Sequence, residues 1–202
     1  MNIVSVLKKN PIIHAVSTPD GLEAAANGKS DVIFLLKSDL SELKKAVSYA
    51  HDRGKKIFIH IDLAEGLGKD EAAVAFVASY VCPDGIISTK SSLIRAAKAL
   101  GLSTVYRVFL IDSQGVKTAL SSVRKTDCDF VEIMPGIIYK EIEAFAALGK
   151  NRLQAVLSKR AKKLCARSKA ELSQFPQAEH SRTDFFSAQP HERKNVLFSR
   201  FE

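Results

Sequence analysis

Apolar and polar positions along the chain follow two alternating patterns, one typical of buried strands and one of amphipathic helices. Short apolar runs predict six strands, at Pro11–Val16, Asp31–Leu36, Lys56–His60, Gly85–Ser88, Thr104–Ile111 and Asp129–Met134. Between and after these runs, apolar residues recur at helical spacing and predict helices over Thr18–Ala26, Leu40–Arg53, 70–81, 91–100, 112–125 and Ile137–Leu148. Asp39, Ser91 and Asp112 are the expected N-caps.

Each predicted strand is an apolar run rather than an alternation, which indicates burial on both faces and therefore parallel strands covered by helices. Repeated βα units of this kind favour a (β/α)8 barrel or a doubly wound sheet. The chain contains no GxGxxG and no GxxxxGK[ST] motif, which lowers the dinucleotide-binding and P-loop alternatives.

The segment Lys56–Lys90 carries the clearest chemistry, because polar residues follow its two strands. Asp62 comes after the first strand, and Ser88, Thr89 and Lys90 end the second. Ligands of parallel α/β folds bind at the carboxyl ends of the strands, so these residues are candidate ligand contacts. Asp62 either accepts hydrogen bonds from a ligand hydroxyl or is a structural carboxylate. Lys90 either meets an anionic ligand or lies on a solvated loop.

Further candidates lie in the last two predicted strands and in the turn after them. Arg107 either contacts an anion or pairs with Glu132 inside a barrel, and Glu132 needs a partner because it sits in an apolar strand. Ser88 and Thr89 offer hydroxyls, and Pro135 and Gly136 offer close backbone approach, although turn or cap roles are at least as much expected for all four. His14 and His60 are expected to be buried and hydrogen-bonded, and no third residue suggests a metal site. Asp62 and Glu132 form only a weak acid–base pair, because no nucleophile or metal motif accompanies them.

Composition limits the function classes. The 202 residues carry a formal charge of +8, but residues 1–151 hold 19 basic and 17 acidic side chains, so the basicity lies in residues 152–202. No run of about 18 apolar residues predicts a membrane span. The first residues do not have the order of a signal peptide. Cys82, Cys128 and Cys165 form no CxxC pair, which is typical of a cytoplasmic protein.

Several of these segments together resemble the glycerol-3-phosphate-responsive antiterminator family of bacterial regulators. The resemblance covers about residues 10–140 and rests on PIIHAV, DVIFLLKSDLSELK, KKIFIHIDLAEGL, PDGIISTKSSLIRAAKALGL, YRVFLIDSQGV and DFVEIMPGII. It implies a small (β/α)8 barrel that senses glycerol 3-phosphate, without a cofactor, and acts on the leader RNA of glycerol genes so that transcription passes a terminator. The oligomeric state stays open.

The resemblance ends where a seventh strand near Pro-Ile-Ala-Gly-Gly is expected. Arg152–Lys169 reads RLQAVLSKRAKKLCARSK instead, and the chain then takes a loop-like composition. Restoring one C after the Asn151 codon makes permitted codons spell Pro-Ile-Ala-Gly-Gly-Phe-Ile-Glu and, further on, Ile-Ala-Val-Ser-Thr-Ser. Residues 1–151 are therefore predicted to be a barrel domain of about six βα units, and residues 152–202 an out-of-frame, poorly ordered tail. A divergent basic tail is the alternative.

We therefore expect a non-enzymatic antitermination regulator, impaired here by the loss of its last two βα units. The alternative is a barrel enzyme that acts on a small phosphorylated three-carbon compound, since this fold hosts many enzymes. RNA action rests on the resemblance, because the chain has no RNP signature and no Trp. An open barrel exposes the edges of its first and sixth strands, which predicts aggregation and no binding of glycerol 3-phosphate.

Overall fold

The computed structural model describes residues 3–134, 145, 153–157 and 196–201. The described helices are α1 (Ile3–Lys9), α2 (Pro19–Ala26), α3 (Leu40–His51), α4 (Glu71–Phe76), α5 (Ser91–Ala99) and α6 (Ser113–Lys125). The strands are β1 (Ile12–Val16), β2 (Val32–Leu35), β3 (Ser38–Asp39), β4 (Lys56–His60), β5 (Ala64–Glu65), β6 (Gly85–Ser88), β7 (Ser103–Phe109), β8 (Phe130–Met134), β9 (Leu153–Leu157) and β10 (Val196–Phe201). The helix expected at Ile137–Leu148 lies outside the described residues except for Phe145.

Parallel pairing joins the strands into a closed barrel in the order β1-β10-β9-β8-β7-β6-β4-β2. The six predicted strands form its continuous arc from β1 through β2, β4, β6 and β7 to β8, each flanked in sequence by the predicted helices. The α/β barrel class is thereby confirmed. The two-residue strands β3 and β5 pair with each other beside this sheet and were not predicted.

The expectation of two unpaired sheet edges is wrong. Strand β10 pairs with β1 and with β9, and β9 pairs with β8, so both edges have neighbours. The ladder is made of backbone N–H and C=O groups, which any extended segment supplies regardless of its side chains. The basic composition around residue 152 hid the short apolar runs Leu153–Leu157 and Val196–Phe201, which are long enough to complete a barrel.

Two apolar layers lie on opposite faces of the strands. The layer inside the barrel contains Ile13, Val32, Phe34, Phe58, Ile87, Val105 and Phe130. The layer between strands and helices contains Ile33, Leu35, Leu43, Val47, Ile57, Ile59, Ile86 and Leu93. Since both faces of β2, β4 and β6 are buried, the sequences of these strands are apolar except at strand ends, where Lys56, His60 and Ser88 lie.

Helix α1, which the sequence pattern did not predict, extends the inner layer. Its Ile3, Val6 and Leu7 are buried and pack with the side chains inside the barrel. Seven residues are too few for a clear helical period, so the apolar spacing was not recognised. The packing inside the barrel also requires glycine at position 85, at the start of β6, because a Cβ there would lie 2.4 Å from the ring of Phe58.

The helix starts show which local predictions hold. Asp39 and Asp112 accept hydrogen bonds from the backbone N–H groups of Ser41 and Gly115, which confirms both as N-caps. Ser91 is not an N-cap, because it is the first helical residue of α5 and Lys90 takes the cap position without a side-chain bond. Helix α4 continues as a π-helical turn, Val77–Val81, which ends at Cys82 in the left-handed conformation with φ of 57°.

Two carboxylates that the sequence analysis passed over fix the amino-terminal ends of strands. Asp84, directly before β6, accepts hydrogen bonds from Lys56 Nζ at 2.7 Å, the Ile57 N–H at 2.9 Å and the His51 ring. Burial raises the pKa of Asp84, but these hydrogen bonds outweigh it and hold that pKa below its usual value. Asp129, directly before β8, bonds Lys98 and Thr104 in the same way. These groups lie at the end of the barrel opposite the candidate site.

Candidate functional site

A cluster of polar side chains forms where β4 and β6 end. Strand β4 stops at His60, and the 3-10 turn Ile61–Leu63 places Asp62 beside the end of β6. Asp62 Oδ1 accepts a hydrogen bond from Ser88 Oγ at 2.9 Å. Its Oδ2 accepts two more, from the Thr89 N–H at 2.6 Å and from Thr89 Oγ1 at 2.9 Å. The structure therefore brings together Asp62, Ser88 and Thr89, as the strand-end argument predicted.

Lys90 lies at the rim of this cluster. Its backbone N–H donates to Ser88 Oγ at 3.0 Å, and the residue is exposed at the start of α5. Ser88 is fully buried, so its hydroxyl links the Lys90 backbone to the Asp62 carboxylate. The Lys90 backbone is thus held beside the Asp62 cluster through the Ser88 hydroxyl.

Arg107 and Glu132 form a buried ion pair inside the barrel. They are opposite residues of the neighbouring strands β7 and β8. Arg107 Nε donates to Glu132 Oε2 at 2.5 Å and Nη2 donates to Oε1 at 3.1 Å, with side-chain exposures of 6% and 0%. Burial raises the pKa of Glu132, while the Arg107 charge and hydrogen bonds lower it. The pairing that the sequence analysis held as the alternative to ligand contact is present.

His60 also lies in this site, although the sequence analysis expected it to have only a structural role. The residue is 2% exposed, and its Nδ1 has no hydrogen-bond partner among the described residues. Asp62 Oδ2 lies 4.0 Å from this nitrogen. Burial and then the Arg107 charge lower the pKa of His60 to about 4, against the opposing effect of Asp62. The expected hydrogen bond is thus missing at Nδ1. The His-x-Asp spacing at a strand end is the sequence feature that could have placed His60 in the site.

The arrangement limits what the site can do. Asp62 and Glu132 do not form an available acid–base pair, because Glu132 is held by Arg107 and Asp62 already accepts three hydrogen bonds. Among the described residues no group of three His, Cys, Asp or Glu side chains could hold a metal ion. Pro135 and Gly136 lie outside the described residues. No helix in the described part of the chain is long and apolar enough to cross a membrane.

Comparison with known proteins places these observations in a family. The model of the family described as "Glycerol-3-phosphate responsive antiterminator" matches residues 12–156. The uncharacterized protein YgcP of Escherichia coli (strain K12) is 33% identical over 140 residues, which are 69% of this chain and 73% of that protein. The matched region contains all of the described site.

Two solved structures share the fold. The glycerol uptake operon antiterminator regulatory protein from Listeria monocytogenes has a TM-score of 0.72 at 24% identity, over 94% of this chain and 90% of that one. The glycerol uptake operon antiterminator-related protein from Thermotoga maritima has a TM-score of 0.67 at 26% identity, over 93% of this chain and 92% of that one.

Breaking the Arg107–Glu132 pair is expected to destabilise the barrel strongly. Arg107→Leu leaves the Glu132 carboxyl buried without its partner, which costs about 3–5 kcal/mol of unfolding free energy. The double variant Arg107→Leu/Glu132→Leu removes both polar groups and should recover most of that loss. Urea unfolding of the wild type and the two variants measures this. Equal destabilisation of the single and double variants would contradict the pairing.

The pH dependence of stability should carry the signature of His60. With a pKa near 4 when folded and about 6.5 when unfolded, His60 stays neutral in the fold while the unfolded chain takes up a proton. The contribution of His60 to the unfolding free energy is therefore fully present above pH 6.5. It falls by about 3 kcal/mol in total as pH falls towards 4.

The measurement is the unfolding free energy between pH 4 and pH 7 for the wild type and for His60→Gln. Subtracting the two profiles removes titrations common to both proteins. The wild type should lose more stability on acidification than His60→Gln. Parallel profiles would show that His60 is not buried in its neutral form.

Proposed function

Because the chain belongs to the glycerol-3-phosphate responsive antiterminator family, we propose that it senses glycerol 3-phosphate and acts on leader RNA of glycerol-utilisation genes, so that transcription passes a terminator. The observation that carries the proposal is the family match over residues 12–156. That range includes the polar cluster at the carboxyl ends of β4 and β6, where ligands of parallel barrels bind. The protein acts in the cytoplasm in this proposal, because that is where a bacterial leader RNA is made.

The effector site takes its hydroxyl-binding half from the described cluster. Asp62 with Ser88 and Thr89 supplies an acceptor-rich surface for glycerol hydroxyls. Lys90 and Arg107 supply positive charge towards the phosphate, although Glu132 already neutralises much of the Arg107 charge. We propose Pro135 and Gly136, which lie outside the described residues, as further ligand contacts. In barrels of this type the phosphate commonly lies at the loops after strands seven and eight.

RNA contact requires a positively charged surface, and α6 offers one. A cleft of about 410 Å³ on this helix is lined by Lys117, Arg124 and Lys125, together with Leu120 and Ser121. Cations at this spacing attract a polyanion without reading its sequence. We propose this surface as the first contact with the leader.

Residues 152–202 remain a proposed out-of-frame product. The family match stops at residue 156, close to Asn151, where the shift is placed. Strands β9 and β10 close the barrel with backbone bonds, but a phosphate site also needs particular glycines and helix starts. We therefore propose that this chain folds into the barrel and binds glycerol 3-phosphate poorly or not at all.

The coding DNA and a matched pair of proteins test the frame proposal. Codons at Leu153–Val156 should spell Ala-Gly-Gly after one C is restored beyond the Asn151 codon, and codons that cannot do so reject it. Isothermal calorimetry should then detect binding of glycerol 3-phosphate to the frame-restored protein and not to the 202-residue chain. Tight binding by the 202-residue chain would contradict the claim of impairment.

The regulatory role is tested by transcription through a terminator-bearing leader. With the frame-restored protein, glycerol 3-phosphate should increase the fraction of full-length transcript, and a leader without the terminator should show no change. Incubation with phosphorylated three-carbon compounds should yield no product. Turnover of such a compound without any effect on readthrough would favour the enzymatic alternative.

A further inference from the structure

His60 and Asp62 leave a gap between a buried ring nitrogen and an oxygen of a partly exposed carboxylate. The imidazole Nδ1 and the carboxylate Oδ2 are 4.0 Å apart, which is too long for a hydrogen bond. Nδ1 is buried and has no other partner in the described part of the chain. A buried polar atom without a partner weakens a fold, so such atoms commonly pair with a ligand or an ordered water.

The distance between these two groups matches a bridge through one oxygen atom. If this oxygen lies about 2.8 Å from each atom, an ordinary hydrogen-bond length, the angle Nδ1–O–Oδ2 is about 90°. That angle is close to the tetrahedral arrangement of donors and lone pairs on a hydroxyl oxygen. A second protein side chain is not needed to complete the geometry.

The charges around the gap favour a neutral group. His60 carries no charge at neutral pH, since burial and the Arg107 charge lower its pKa to about 4. Arg107 is committed to Glu132 by two hydrogen bonds, and Asp62 brings a negative charge. A phosphate oxygen would be repelled by Asp62, whereas a hydroxyl can donate to the carboxylate and accept from the imidazole.

We propose that His60 Nδ1 and the Asp62 carboxylate together bind one hydroxyl group of a polyol ligand, with the imidazole as donor and the carboxylate as acceptor. This assignment rests on the proposed function only in taking the strand-end cluster as the effector site. It requires the neutral His60 tautomer that carries its proton on Nδ1. Asp62 Oδ2 already accepts from the Thr89 N–H and from Thr89 Oγ1, so the ligand hydroxyl takes the place of the exposed Thr89 hydroxyl on that oxygen.

Histidine nitrogen NMR tests the assignment directly. Glycerol, glycerol 3-phosphate, propyl phosphate and inorganic phosphate are titrated into the 202-residue chain and into the frame-restored protein. The two hydroxyl-bearing compounds should shift the Nδ1 signal of His60 towards the protonated form. Propyl phosphate and inorganic phosphate, which lack the hydroxyls, should leave it unchanged.

Substitutions separate the role of Nδ1 from that of the ring. His60→Asn keeps a polar nitrogen near the Nδ1 position and should retain polyol affinity within about threefold, whereas His60→Leu should weaken it by about tenfold, as expected for one hydrogen bond. His51→Asn is the matched control, because His51 bonds Asp84 at the opposite end of the barrel. It should bind like the wild type.

Three outcomes overturn the assignment. If no polyol shifts the His60 Nδ1 signal in either protein, no ligand hydroxyl enters the gap. The same conclusion holds if an ordered water has already shifted that signal and polyols leave it unchanged. A shift with phosphate alone would assign the site to an anion. Equal affinity of His60→Leu and wild type would exclude a hydrogen bond. Polyol binding with the expected shift but no effect on readthrough would instead reject the proposed function and leave this assignment standing.

Discussion

Burial of both faces of the same strands is the constraint from which the rest of this structure follows. The inner face of β2 and β4 packs around Phe34 and Phe58, and the outer face packs against the helices. Such strands have no position for an unpaired polar group except at their ends. Polar residues therefore collect at the two ends of the barrel, or meet a partner inside it as Arg107 meets Glu132. The position of the site is a result of this exclusion.

The two ends of the barrel use carboxylates differently. At the amino-terminal end, Asp84 and Asp129 are paired with lysines and bonded by backbone N–H groups, and they hold strands in place. At the carboxyl-terminal end, Asp62 accepts hydrogen bonds from Ser88 and Thr89, which are uncharged. Among the described residues, no Lys or Arg forms an ion pair with the Asp62 carboxylate. This difference separates a structural carboxylate from one suited to a ligand.

Much of the arc from β1 to β8 could be predicted from the sequence, because apolar runs and helix caps are local signals. The grouping of Asp62 with Ser88 and Thr89 also followed, since parallel strands end on the same side. Three features did not follow. Helix α1 is too short for its period to show, β9 and β10 pair through their backbones without a distinctive side-chain pattern, and the missing partner of His60 depends on distances between atoms.

The Asp62 cluster has a consequence for the order in which the molecule forms. Its hydrogen bonds join residues only 26 or 27 positions apart, within a single βαβ unit. Contacts this local close short loops and form early relative to pairings between distant strands. On a ribosome, all residues of this cluster emerge before residues beyond 151 have been synthesised. An error in the later codons would therefore leave every residue of the Asp62 cluster unchanged.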